Sequence, residues 1–152
     1  MDVSKEQKLL KVFAVITLIF GIISCVFGVL MIAGGGIAAG GVEQITSETN
    51  VTADEVAQFS ALFIFGGLLT IFSGVTDIID WAFLKKVAND TTKYKPAWVI
   101  SIVSLVLTII SLVLSIVNGS EPKDIAGAVG TVAINAVIFY LVNKVKKSVV
   151  NA

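Results

Sequence analysis

The 152-residue chain contains no histidine, and all 11 of its basic residues are lysine. Without an imidazole there is no general base poised near neutral pH, no His-activated nucleophile and no histidine metal ligand. Without arginine there is no planar fork to clamp a phosphate or carboxylate through paired hydrogen bonds. The single cysteine, Cys25, excludes an internal disulfide and a multi-cysteine zinc site. Charge is scarce too, at 14% of residues, where soluble domains carry roughly a quarter. What fills the chain instead is apolar: 56% hydrophobic residues and a mean hydropathy of +0.95. That much polar surface cannot cover a soluble globule, so the expected solvent is lipid.

Four apolar stretches reach the ~20 residues that a helix needs to cross a bilayer. They run over Leu10–Gly34, Ala57–Leu84, Ala97–Val117 and Asp124–Leu141. Too little chain remains for a soluble domain. The expectation is therefore an all-α, polytopic integral membrane protein: an antiparallel four-transmembrane-helix bundle with short loops, forming one membrane domain over residues 1–152. The first stretch follows Lys5, Lys8 and Lys11 as a signal sequence would, but it stays apolar past Cys25 and reads as a span.

Lysine placement predicts the threading. Lys5, Lys8 and Lys11 precede the first span, Lys85, Lys86, Lys93 and Lys95 lie between the second and third, and Lys144, Lys146 and Lys147 follow the fourth. The other two connections hold Lys123 alone, beside Glu43, Glu48, Asp54, Glu55, Glu121 and Asp124. Lysine-rich loops stay on the cytoplasmic side, which puts both termini there in a cell membrane. Trp81, Tyr94, Trp98 and Tyr140 mark the same boundary, as interfacial aromatic rings do. Thr52 to Glu55 has the form of a capping box, opening the second helix. Pro96 and Pro122 sit near the starts of the third and fourth, where a missing N–H is harmless. The connection 42–56 between the first two spans reads as an acidic outer loop.

The third span carries the sharpest pattern. Ser101, Ser104, Thr108, Ser111 and Ser115, closed by Asn118, alternate spacings of three and four, the seam of a left-handed helix pair. Such a stripe either packs against a neighbouring helix or, repeated around an axis, lines a wet path. Small residues spaced four apart recur in the other helices: Ser24 and Gly28, Gly36 and Gly40; Gly66, Thr70 and Gly74; Gly127, Thr131 and Asn135. Asn135, near the middle of the fourth span, needs a hydrogen-bond partner in hydrocarbon.

Asp77 and Asp80 stand one turn apart near the inner end of the second span and share a face. Intramembrane carboxylates are costly, and an ion pair with Lys11, or failing that Lys144, is the expected remedy. Two carboxylates without a third acid, His or Cys make a poor metal site. No catalytic residue, cofactor or metal is expected, nor any nucleic-acid partner.

In outline the chain resembles tetraspan membrane proteins. It lacks the paired Cys and Trp that a claudin carries in its first outer loop, and the long second outer loop of a tetraspanin. The expected role is that of a non-enzymatic assembly or accessory subunit. Its partners would be the lipid bilayer and either further copies of itself or another membrane protein. The alternative is a small homo-oligomeric channel or transporter, with the hydroxyl stripe along its path.

Overall fold

The computed structural model describes residues 4–48, 51–117 and 121–151. They form α1 (Ser4–Gly40), α2 (Val42–Glu48), α3 (Ala53–Asn89), a 3-10 turn (Thr91–Lys93), α4 (Tyr94–Val117) and α5 (Pro122–Val150), with no strand among the described residues. α1, α3, α4 (taken with the turn before it) and α5 are each long and apolar enough to cross a membrane. At 1.5 Å per residue, the 37 residues of α1 and of α3 extend about 55 Å, well beyond a ~30 Å hydrocarbon layer.

The helix starts follow their local chemistry. The Thr52 backbone N–H donates to Glu55 Oε2 at 2.8 Å, and the Glu55 N–H donates back to Thr52 Oγ1 at 3.3 Å. This reciprocal box satisfies donors that would otherwise be orphaned at the head of α3. Pro122 is the first residue of α5. Between α3 and α4 the Asp90 carboxylate accepts from the Thr92 N–H at 3.1 Å and hydroxyl at 2.6 Å, and pairs with Lys93 at 3.2 Å. The connection 42–56 is not simply a loop: α1 runs on to Gly40, and α2 occupies Val42–Glu48. Thr46 and Ser47 turn their hydroxyls back onto carbonyls of that short helix.

The chain divides into two compact units, Thr17–Ile79 and Met1–Ile16 with Asp80–Ala152. The first is an antiparallel hairpin of α1 and α3 whose backbones touch. A Cβ built on Gly28 would stand 2.6 Å from the Gly67 carbonyl oxygen, and one on Gly67 would stand 2.6 Å from that of Gly28. Gly21 and Gly74 repeat this reciprocity at 2.8 and 2.6 Å, and Gly35 faces the Ser60 carbonyl at 2.9 Å. Along each helix these positions lie one heptad apart, about 10 Å, which keeps one seam facing its partner along the whole hairpin. Only glycine permits the approach at these five positions. Ser60 fits as the sixth because its buried hydroxyl folds onto its own helix, donating to Val56 O at 2.8 Å.

The seven-residue period, not the four-residue one, therefore sets this contact. Gly28 and Gly74 belong to it, but Gly36 and Gly40 face open space, and Gly66 meets only the Met31 side chain. The other unit gathers the lysine-bearing ends of four helices. Leu10 and Ala14 of α1, Leu84, Val87 and Ala88 of α3, Ala97 of α4, and Ile138, Leu141, Val142 and Val145 of α5 form its core. Phe13, Trp81, Phe83, Tyr94 and Trp98 pack around it.

Two outcomes are expected. Gly67→Val should destabilise the protein by about 1–3 kcal/mol through overpacking, whereas Gly36→Ala should stabilise it by roughly 0.5–1 kcal/mol through helix propensity; thermal unfolding in mild detergent measures both. The bonds from Thr92, then the one from Lys93, hold the exposed Asp90 carboxyl below the usual aspartate range. Its stabilising contribution is complete above the unfolded pKa, about 3.9, and is lost as pH falls through the lower folded value. An NMR titration should show that low midpoint, and Thr92→Ala should move it back up.

Candidate functional site

The stripe on α4 and the acids on α3, separate features of the sequence, meet in one hydrogen bond. The Ser104 hydroxyl donates to Asp80 Oδ2 at 3.0 Å. Asp80 Oδ1 is buried with no hydrogen-bond partner. On either side the stripe turns inward on its own helix. Ser101, 3% exposed, donates to Trp98 O at 3.0 Å, and Thr108 donates to the Ser104 and Leu105 carbonyls at 3.0 Å. Ser115 is half-buried and Ser111 exposed, while Asn118 lies outside the described residues. The stripe is thus a seam at the lysine-bearing end of α4 and is open at Ser111.

Asp77 is half-buried in the α1–α3 hairpin, where its Cβ forms part of the wall around Gly21. Lys11 is exposed in the other unit. Lys144, the second expected partner of the aspartates, instead pairs with Glu6, a residue that sequence reasoning passed over. Glu6 is 8% exposed, whereas the Lys144 side chain retains 35%. The signal was there: Glu6 stands four, seven and eight residues before Leu10, Phe13 and Ala14, on the face of α1 that enters the core. Other lysines at this end lie over aromatic rings, Lys146 Nζ 3.4 Å from the Trp98 ring centre and Lys85 Nζ 5.1 Å from that of Trp81. The Trp98 Nε1 donor is buried without an acceptor.

Comparison of the chain with protein-family models, with curated proteins and with solved structures finds no match. Its function must therefore be argued from its own side chains.

No three His, Cys, Asp or Glu side chains come together among the described residues. Cys25 sits at the glycine seam, its Sγ 3.9 Å from the Ile71 carbonyl and within 2.7 Å of where a Gly74 Cβ would stand. The remaining polar feature is the first half of α5. Cβ atoms added at Gly127 and Gly130 would meet nothing within 4 Å, and Thr131 is exposed. Asn135, half-buried, donates Nδ2 to the Thr131 carbonyl at 3.0 Å and makes no other hydrogen bond among the described residues. Its carboxamide oxygen stays open.

The ion pair makes an asymmetric prediction. Lys144→Met leaves the Glu6 carboxylate buried without its cation and should cost about 1–3 kcal/mol. Glu6→Gln leaves a lysine that can swing into water and should cost roughly 0.5 kcal/mol. Thermal unfolding of the two variants tests the order.

Proposed function

We propose that this chain is a non-enzymatic four-span subunit of a cell membrane, with both termini cytoplasmic, that assembles with a second copy of itself through α5. The observation that carries the proposal is the open face of Gly127, Thr131 and Asn135 on a helix apolar enough to span a bilayer. In hydrocarbon an amide with a free acceptor is uncompensated, and small residues beside it allow a partner helix to come close. Two copies threaded the same way present α5 in parallel, so Asn135 meets Asn135 at equal depth. Its amide carries both donor and acceptor and is complementary to itself. The heptad glycines of α1 and α3 are already spent on each other, and the open Gly36 and Gly40 carry no amide beside them, so the α5 face is favoured for assembly.

A channel of several copies is favoured by one feature, the exposed Ser111 on the outer half of the α4 stripe. The bonds of Ser101, Ser104 and Thr108 within the protein weigh the other way.

Native mass spectrometry from mild detergent is the first measurement. A dimer that Asn135→Leu converts to monomer is the expected result; the interhelical hydrogen bonds at stake contribute about 0.6–2 kcal/mol. A monomer in the parent protein would refute self-assembly, and a ring of many copies would favour the channel.

A further inference from the structure

We propose that the lysine-bearing end of the helix cluster is a docking surface for anionic phospholipid headgroups, an inference that rests on the membrane placement above. Lys5, Lys8 and Lys11 on α1, Lys85 and Lys86 on α3 and Lys147 on α5 are all exposed at this end. None has a carboxylate partner among the described residues. Of the acids at this end, Glu6 is paired with Lys144 and Asp90 with Lys93, and Asp80 turns to Ser104 rather than to a lysine. Lysines outnumber acids among the described residues of this surface.

Its depth selects the occupant. Lys85 stands over the Trp81 ring and Lys146 over the Trp98 ring, so these ammonium groups are held level with interfacial aromatics rather than projecting far into solution. Phospholipid headgroups are the obligatory neighbours at that level. A zwitterionic headgroup brings a cation that competes with lysine for its own phosphate, whereas a net-negative one leaves the phosphate to the protein. Each lysine near such a surface contributes roughly a five-fold preference, falling as salt screens it.

The protein's two tryptophans, Trp81 and Trp98, both lie at this end and serve as built-in probes. The experiment is fluorescence quenching of the full chain in liposomes by brominated phosphatidylglycerol against brominated phosphatidylcholine. The expected result is quenching by both, with phosphatidylglycerol favoured by on the order of five-fold or more at low salt. Lys85→Gln, Lys86→Gln and Lys147→Gln combined should lower the ratio at least about five-fold, and adding Lys5→Gln, Lys8→Gln and Lys11→Gln should bring it close to one. Lys123→Gln, at the far end of α5 and paired with Glu121, should leave it unchanged. Equal quenching by the two lipids in the parent protein overturns the lipid preference while leaving the membrane placement standing. Quenching by neither overturns both. Equal quenching together with retention on a soluble polyanion such as polyglutamate would reassign the surface to a soluble acidic partner and likewise overturn the proposal.

Discussion

The hairpin of α1 and α3 depends on bringing two helix backbones into contact. Lipid tails are as apolar as leucine, so no hydrophobic gain draws one spanning helix to another; dispersion, which fades within an ångström, must do it. The seam of Gly21, Gly28 and Gly35 against Gly74, Gly67 and Ser60 meets that demand by having almost no side chain on it. The carbonyl of each glycine faces the Cα of its partner, an arrangement that also suits weak Cα–H···O contacts. Ile32, Ile64, Ile71 and Ile78 close over the seam from both sides, so the register is held by shape as well as by proximity.

The other unit is held by different means. There larger side chains, Leu10, Leu84, Val87, Val142 and Val145, fill the space between four helix ends, and lysines and aromatic rings surround them. Polar groups are spent sparingly in this setting. Glu6 and Lys144 neutralise one another across α1 and α5, and the Ser104 hydroxyl gives Asp80 one of the bonds its carboxylate requires.

These two modes of packing leave an uneven remainder. α1 and α3 have consumed their closest-approach faces, while the first half of α5 keeps open glycines, an exposed threonine and a half-buried amide bonded only to its own helix among the described residues. Exposed leucine or valine is at home in lipid, and the many exposed apolar residues of this chain require no partner. An exposed amide is not. That difference, rather than any catalytic constellation, gives the protein its functional reading.

The amino-acid sequence by itself determined the four helices long and apolar enough to cross a membrane, the capping box at Thr52 and Glu55, and the helix start at Pro122. Each follows from hydropathy or from contacts within a few residues, and neither depends on what lies elsewhere in the chain. The heptad of glycines was also written there, but glycines and other small residues are so frequent that the four-residue spacings of Gly36 with Gly40 and Gly66 with Thr70 were equally visible. Choosing between periods requires the partner helix, because a close-approach face exists only where another backbone meets it. The same holds for Glu6 with Lys144 and Ser104 with Asp80, which are remote in sequence: hydropathy places a charge at a depth, and only tertiary packing decides which helix, at that depth, carries the group that answers it.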